Sequence, residues 1–264
     1  MKDKIKLIVS DLDGTLLDSN HNLPTDFWKI EQQLADKNIL FAIASGRQLF
    51  NIISLFDRIK ERTLFLAENG TFAYYKGEEL FINDLPKSNA IEFIKIGRTV
   101  KDGYVILCGK KSAYVENTDE RFLTEVKKYY TKLQIVDDLT QVDDVVLKVT
   151  ICDFNDVPTN SYLYFKEFEN DFKVAISGLI WLDVTSFTAN KGVAIEIIHK
   201  KLAISKEETM VFGDFLNDLE MMETAEFSFA MKNAHKDIIE ISNYTTDFDN
   251  NTNGVTQTIE KYLL

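Results

Sequence analysis

Asp11-Leu12-Asp13-Gly14-Thr15-Leu16-Leu17 follows directly on the apolar run from Ile5 to Val9. A short run of this kind predicts a buried strand, and open α/β sheets bind their ligands at the carboxyl ends of such strands. Side chains two residues apart on a strand point the same way, so Asp11 and Asp13 can converge on one small space. The stretch therefore predicts an acidic site at the edge of a sheet.

Two close carboxylates repel each other unless a cation or a shared proton lies between them. Mg²⁺ suits this position because it prefers oxygen ligands and often takes one or two carboxylates together with water and substrate phosphate. Gly14 allows the sharp turn that brings the backbone close to such a ligand. The alternative is a turn with solvated aspartates, which a bare Asp-x-Asp would favour. The longer pattern Asp-x-Asp-Gly-Thr-Leu after an apolar strand is more specific for a site.

The composition bounds the class of protein. The chain has 264 residues, is 45% hydrophobic and carries a formal net charge of −12. This length predicts one large or two medium domains. The acidity argues against nucleic acid or an anionic membrane as partner, although a local basic pocket for a small phosphate is compatible with it.

The N-terminus has no apolar targeting segment, and no apolar run reaches membrane-spanning length, so we expect a cytoplasmic protein. Cys108 and Cys152 lie in strand-like runs without a Cys-x-x-Cys pattern. Core thiols are therefore favoured over a zinc or redox site.

A second phosphate signal follows the next predicted strand. A helical pattern begins at Pro24-Thr25, and the continuous apolar run Ile39 to Ala44 then completes a βαβ unit. Ser45-Gly46-Arg47 stands at its carboxyl end, where a hydroxyl and free backbone N–H groups suit a phosphate oxygen. The alternative is that Ser45 is a helix N-cap without a ligand.

A third apolar run, Thr63 to Ala67, predicts the next strand, and Asn69 follows it. Asn69 either borders the site or is only a turn residue before Gly70.

The α/β signals resume near the C-terminus with Thr188-Ala189-Asn190-Lys191-Gly192, which opens a helix. A lysine at a helix start opposes the helix dipole, so an anionic group should compensate it. A further apolar strand, Thr209 to Phe212, is closed by the acidic run Gly213-Asp214-Phe215-Leu216-Asn217-Asp218.

Between Asp84 and Ser186 the pattern changes. Helical stretches (Ile91 to Val100, Phe122 to Leu133, Tyr162 to Phe172) alternate with strand-like ones, several joined by short turns such as Gly109 to Ser112. This predicts an inserted α+β module with largely antiparallel strands. The domains are then 1–83 with 187–264, and the insertion 84–186.

Four stretches described above resemble, in chain order, the four motifs of the haloacid-dehalogenase-like phosphatases. They begin at Asp11, at Ser45, at Thr188 with Lys191, and at Gly213 with Asp214. The resemblance implies an α/β fold with a Rossmann-like, doubly wound parallel-sheet core. It also implies that Asp11 attacks phosphorus and that Asp13 serves as acid and base. The remaining implied roles are phosphate binding by Ser45, Gly46, Lys191 and Asn217, and Mg²⁺ binding by Asp11, the backbone carbonyl of Asp13, Asp214 and Asp218, the last in or just behind the first shell.

The insertion resembles the class IIB cap of the Cof-like phosphatases, and segments such as Ala67-Glu68-Asn69-Gly70 are similar to bacterial sugar phosphatases. Candidates for substrate specificity are Arg47, Lys148 and Asp183, each of which also has an ordinary surface or ion-pair interpretation. Phe215 and Lys232 depart from the family, which often has a small residue and a glycine there.

The resulting prediction is a Mg²⁺-dependent phosphatase that hydrolyses small phosphomonoesters, with sugar phosphates favoured, through an aspartyl phosphate. A phosphomutase or phosphotransferase would share the covalent intermediate, and a nucleotide or a phosphorylated vitamin cofactor is an alternative substrate. A non-catalytic binding module is disfavoured because all the acids remain. The expected partner is a small phosphorylated metabolite, with a monomer as the default state.

Overall fold

The structure, a computed structural model, describes residues 4–264. Residues 1–3, part of the polar N-terminus on which the cytoplasmic prediction rests, lie outside this range. The described chain divides into two compact units, residues 4–81 with 190–264 and residues Ile82–Ala189. The insertion predicted from the sequence, 84–186, begins and ends inside the second unit. Within residues 4–264, no helix is long and apolar enough to cross a membrane.

The elements follow one another along the described chain in three segments, the middle one belonging to the second unit. The first segment comprises β1 (Leu7–Ser10), α1 (Phe27–Asp36), β2 (Leu40–Ala44), α2 (Leu49–Leu55), β3 (Thr63–Ala67), β4 (Phe72–Tyr75) and β5 (Glu78–Ile82). The middle segment comprises α3 (Lys87–Gly97), β6 (Gly103–Gly109), β7 (Ala113–Val115), α4 (Glu120–Tyr129), β8 (Leu133–Ile135), β9 (Val146–Asp153), α5 (Ser161–Phe165), β10 (Phe172–Gly178) and β11 (Trp181–Ser186). The last comprises α6 (Lys191–Leu202), β12 (Thr209–Gly213), α7 (Leu219–Glu223), β13 (Phe227–Ala230), α8 (Lys236–Ile241), β14 (Tyr244–Thr245) and α9 (Gly254–Leu263).

The sheet of the first unit has the strand order β14-β13-β12-β1-β2-β3-β4-β5 among the described residues. The pairs from β14 to β3 are parallel, and β4 is antiparallel to β3. The chain steps from β1 to β2 and β3 in one direction, and β12 to β14 lie on the other side. The topological switch point is therefore at β1, whose carboxyl end is where such folds bind ligands.

Helices cover both faces of this sheet, which explains why its central strands are apolar along nearly their whole length. On one face, Ala194 and Ile198 of α6 pack with Leu7 and Ala42. Neighbouring residues of a strand point to opposite faces, and Phe41 accordingly packs edge-on against Phe27 of α1, with ring centroids 5.5 Å apart. The predicted α/β class is confirmed.

The second unit contains a sheet of order β10-β11-β9-β6-β7-β8. Its pairs are antiparallel except β7–β8, which is parallel. The turn predicted at Gly109 to Ser112 joins β6 to β7, where the N–H of Gly109 donates to the carbonyl of Ser112 at 2.9 Å. The mainly antiparallel α+β character expected of this segment is therefore present.

Two predicted helices of this unit are too long. The helix predicted from Tyr162 to Phe172 ends at Phe165, and Phe172 begins β10. The error has a physical cause, because Phe165, Phe168 and Phe172 recur at helical spacing yet all pack their rings around Phe93 from different elements. The helix predicted from Phe122 to Leu133 ends at Tyr129, and Leu133 begins the short strand β8.

Candidate active site

The loops after β1, β2, β3 and β12 meet at the carboxyl edge of the core sheet because these strands are parallel neighbours. Asp11 follows β1 directly, and its backbone N–H donates to the carbonyl of Phe212 on β12 at 2.9 Å. Gly14 then turns with φ +79°, and a Cβ there would lie only 2.4 Å from Oδ2 of Asp214. Glycine is required at this position both for its backbone conformation and for this close approach.

Three carboxylates and one ammonium group form the centre of the site. Ligand oxygens of Asp11, Asp214 and Asp218 lie within 4.8 Å of one another. The fully buried Lys191 donates from Nζ to Oδ1 of Asp11 at 2.5 Å and to Oδ1 of Asp218 at 2.6 Å. These carboxylates are the anionic partners that a lysine in the first turn of a helix requires. With all groups ionised, three negative charges and one positive charge leave a net charge of −2.

Burial and like charge disturb the protonation of these groups. Burial raises the pKa of Asp11 well above its ordinary value, Lys191 opposes this, and Asp218 and Asp214 raise it further. Burial also raises the pKa of Asp214 to about 6, although a hydrogen bond from Thr15 counteracts it. Burial alone would lower the pKa of Lys191, but Asp11 and Asp218 outweigh it and raise that pKa. The lysine therefore stays charged, while the raised pKa values of Asp11 and Asp214 mean that these two carboxylates readily accept a proton or a cation.

Asp218 directs both of its oxygens at the protein. Oδ1 accepts from Lys191, and Oδ2 accepts from the backbone N–H groups of Asp214 at 3.0 Å and Phe215 at 3.3 Å. The carboxylate thereby holds the loop after β12 in shape. Asp214 is instead oriented by Thr15, whose hydroxyl donates to its Oδ1 at 2.7 Å.

Asp13 is bound by Arg47 rather than by Lys191. Nε of Arg47 donates to Oδ2 of Asp13 at 2.7 Å, and Nη2 donates to Oδ1 at 2.5 Å. Nδ1 of His21 also lies 3.2 Å from Oδ1 of Asp13. A two-bond pair of this kind fixes the plane of a carboxylate. The structure thus joins a predicted specificity residue, Arg47, to the predicted acid and base.

Ser45 is not the cap of the helix that follows it. The N-cap position of α2 is Gln48, and the hydroxyl of Ser45 accepts instead from the backbone N–H of Arg47 at 3.2 Å. The N-cap alternative for Ser45 is therefore wrong. Asn69 is a turn residue, with φ 56°, and also a neighbour of the site, because its Oδ1 accepts from Nδ2 of Asn217 at 3.1 Å.

The remaining specificity candidates, Lys148 and Asp183, lie together in the second unit. Nζ of Lys148 donates to Oδ2 of Asp183 at 3.3 Å, and Thr150 donates to Oδ1 at 2.5 Å. Both charged side chains are buried, at 5% and 8% exposure. The ion-pair interpretation thus describes the geometry of these two residues.

Of the two departures from the family pattern, Phe215 exposes 55% of its surface and packs edge-on against His235 at 5.9 Å between ring centroids. Lys232 is exposed, and its backbone N–H donates to the hydroxyl of Thr246 at 3.0 Å.

Sequence reasoning gave no role to Thr15 or His21. The role of Thr15 could have been predicted from the sequence, since a hydroxyl inside an acidic motif can orient a carboxylate. The position of His21 could not have been predicted, because it reaches Asp13 through a turn closed by Asp18, in which His21 has φ 61°. The turn-forming residues predict a reversal there but not its direction.

Residues 8–259 match the family model of the haloacid dehalogenase-like hydrolases, and the chain belongs to this family. The 5-amino-6-(5-phospho-D-ribitylamino)uracil phosphatase YbjI of Escherichia coli K12 is 31% identical over 262 residues, covering 98% of this chain and 96% of the relative.

Two solved structures carry the same fold. SMU.1108c from Streptococcus mutans UA159 has a TM-score of 0.87 at 25% identity, with 98% of both chains covered. The HAD subclass IIB sugar phosphatase BT4131 has a TM-score of 0.81 at 20% identity, with 97% of this chain and 98% of the other covered, a likeness that concerns the fold. The family predicted from the motifs is confirmed, and the chain is a phosphatase for small phosphorylated metabolites.

Proposed function

We propose that the protein hydrolyses phosphate monoesters of sugars or related polyols, with Mg²⁺, through a phosphorylated Asp11. The observation that carries this proposal is the cluster around Asp11. A buried carboxylate at the switch point of the sheet, 2.5 Å from the ammonium of Lys191 and grouped with Asp214 and Asp218, suits attack on an anionic phosphoryl group.

The donor set fits Mg²⁺. It consists of oxygen ligands, and the net charge of −2 on the four central groups favours a divalent cation. Asp11, Asp214 and the backbone carbonyl of Asp13 would hold the ion, and Asp218 would stand behind them because Lys191 and two backbone N–H groups already use both of its oxygens. The ion would neutralise repulsion between Asp11 and the phosphoryl group and stabilise the equatorial oxygens.

The protein groups perform the two chemical steps. A carboxylate oxygen of Asp11 forms a bond to phosphorus while the bond from phosphorus to the substrate oxygen breaks and Asp13 gives that oxygen a proton. Asp13 then takes a proton from water, the water oxygen bonds to phosphorus, and the bond between Asp11 and phosphorus breaks. Lys191, Ser45, the backbone at Gly46 and Asn217 hold the phosphoryl oxygens throughout.

The substrate class is proposed from the E. coli relative, whose named substrate carries its phosphate on a ribityl chain. Hydroxyl groups of such a chain need polar partners, and Lys148 and Asp183 of the second unit are proposed to select among them. The decisive experiment is a screen of phosphorylated metabolites with Mg²⁺, read out as inorganic phosphate. Release from sugar or polyol phosphates supports the proposal. Isomer formation without phosphate release would indicate a mutase, and release only from nucleotides would overturn the substrate class.

Mg²⁺ is expected to raise the melting temperature of the wild-type protein, because a ligand that binds only the native state stabilises it by mass action. At a hundredfold excess over its dissociation constant the gain is about 2.7 kcal/mol. Asp214→Asn should abolish the shift, whereas Asp57→Asn on the surface should retain it. Differential scanning fluorimetry with and without chelator measures both. Equal shifts in Asp214→Asn and wild type would contradict the proposed metal site.

Removal of residues 84–186, which form most of the second unit, should spare the core. The side chains of Asn83 and Thr188 are hydrogen-bonded to each other at 3.0 Å, so the chain segments on either side of residues 84–186 lie close together. A short Gly/Ser linker can therefore replace residues 84–186. We expect cooperative unfolding and retained hydrolysis of an aryl phosphate, with loss of selectivity among sugar phosphates because remote contacts no longer contribute to transition-state binding. Circular dichroism and kcat/KM for each substrate test this. Unchanged sugar selectivity in a folded variant would show that the core sets specificity.

A further inference from the structure

Three consecutive residues with left-handed backbone follow β3. They are Glu68 with φ 51°, Asn69 with φ 56° and Gly70 with φ 85°. Glycine adopts this conformation freely and asparagine does so at small cost, but a glutamate does so rarely. Such a backbone persists only where the surrounding structure over-determines it, and it is common at functional sites. Gly70 shows the constraint directly, because a Cβ there would lie 2.4 Å from the carbonyl oxygen of Asn190.

The turn places Asn69 against three residues to which the proposed function assigns phosphate binding. The backbone N–H of Asn69 donates to the carbonyl of Ser45 at 2.9 Å. Its side-chain amide packs on Gly46, where a Cβ would lie 3.1 Å from both Oδ1 and Nδ2. Its Oδ1 also accepts from Nδ2 of Asn217 at 3.1 Å. Ser45 and Gly46 follow β2, whereas Asn217 follows β12, so Asn69 links two separate loops.

We propose that Asn69 is a positioning residue that fixes the side-chain amide of Asn217 for phosphate binding, an inference that rests on the proposed function. A side-chain amide has a donating end and an accepting end. Because Oδ1 of Asn69 accepts one hydrogen of the Asn217 NH₂ group, the other hydrogen stays available for a phosphoryl oxygen. In a flipped amide the carbonyl oxygen would take that place and repel the phosphoryl group.

The chemistry of the position explains why an asparagine is suited to it. An aspartate would also accept from Asn217 but would add a negative charge near a cluster that already has a net charge of −2. An alanine would lose the acceptor and would strain at φ 56°. Asparagine combines a neutral acceptor with tolerance of the left-handed backbone.

The variant Asn69→Gly tests the role of the side-chain amide alone, because glycine adopts the left-handed backbone of the turn without strain. Binding of inorganic phosphate in the presence of Mg²⁺, measured by calorimetry, should weaken roughly tenfold, as expected for the loss of an oriented hydrogen bond to a charged group. Asn217→Ala should weaken phosphate binding similarly. The double variant should bind phosphate no more weakly than the single variant with the lower affinity. The matched control is Asn38→Gly, which makes the same change at an exposed residue with φ 58° and should bind like wild type.

Wild-type phosphate affinity in Asn69→Gly would overturn the proposal, as would additive losses in the double variant, which would mean that Asn69 contacts phosphate independently. Unfolding midpoints of all variants show whether a loss reflects the fold. Turnover of an aryl phosphate by the wild-type protein is measured separately. If the losses of phosphate affinity are non-additive but the wild-type protein shows no turnover, the positioning role is supported and the proposed hydrolysis is refuted. If the wild-type protein shows turnover but the losses are additive, the proposed hydrolysis is supported and the positioning role is refuted.

Discussion

Asp11→Asn is expected to reduce phosphate release from every substrate by roughly a thousandfold or more, because an amide cannot form the acyl phosphate. The rate is measured as inorganic phosphate under saturating Mg²⁺. The matched control is Asp57→Asn, which makes the same chemical change in an exposed side chain of the same unit and should leave kcat unchanged. A near-normal rate in folded Asp11→Asn protein would exclude the covalent route.

The same substitution should not destabilise the protein. Burial raises the pKa of Asp11, and a carboxyl group with a raised folded-state pKa favours the fold below its unfolded-state pKa and loses that contribution as the pH rises. At neutral pH the buried negative charge of Asp11, which shares the single ammonium of Lys191 with Asp218, is therefore an unfavourable contribution to stability when no metal ion is bound. The neutral amide removes it and can still accept from Lys191. We expect a melting temperature at or above that of wild type in chelator, which distinguishes a lost nucleophile from a lost fold.

Lys191→Met is expected to combine loss of activity with loss of stability. The ammonium is fully buried between Asp11 and Asp218, and removal of one partner from a buried ion pair costs about 3–5 kcal/mol. Phosphate release should fall by roughly a hundredfold or more, because the variant lacks the positive charge that is proposed to face the transferring phosphoryl group. Lys200→Met, at an exposed position of the same helix, should change neither quantity.

The pH dependence identifies the cause of that instability. Without the ammonium, the carboxylates of Asp11 and Asp218 have no positive charge between them. Burial already raises the pKa of Asp11, so protonation of Asp11 at acidic pH relieves this repulsion. The stability deficit of Lys191→Met should therefore be largest at neutral pH and shrink as the pH falls towards 5. Saturating Mg²⁺ should also reduce it by supplying positive charge. Denaturant titrations at several pH values measure this, and a deficit that does not vary with pH would indicate a packing defect instead.

That the loops after β1, β2 and β12 meet at one edge of the sheet could be predicted, because their meeting depends on local sequence and on one general rule. Asp11, Ser45 and Asp214 each follow an apolar run, and parallel strands present their carboxyl ends at a common edge. The need for anionic partners at Lys191 followed from its position at a helix start. None of these inferences required knowledge of loop conformation.

The contacts of Asp13 and Asn69 could not be predicted in the same way. The two-bond pair between Arg47 and Asp13 depends on how two loops bend after their strands, and the contact between Asn69 and Asn217 depends on consecutive left-handed residues. The false helix from Tyr162 to Phe172 shows a related limit. Helical spacing of phenylalanines predicts a common apolar environment, but one ring such as Phe93 can collect them from a helix, a turn and a strand.

The position of β1 between β2 and β12 has a consequence for the order in which the chain can fold. Leu7 pairs with Leu40 early in the chain, but its other partner, Thr209, lies beyond the whole second unit. Closing so long a loop is entropically costly, and contacts of this kind slow folding. During synthesis the second unit, continuous from residue 82 to 189, emerges completely before β12 does. One edge of β1 therefore stays unpaired in the nascent chain until β12 (Thr209–Gly213) has been made, and during that time it can pair with other chains and aggregate.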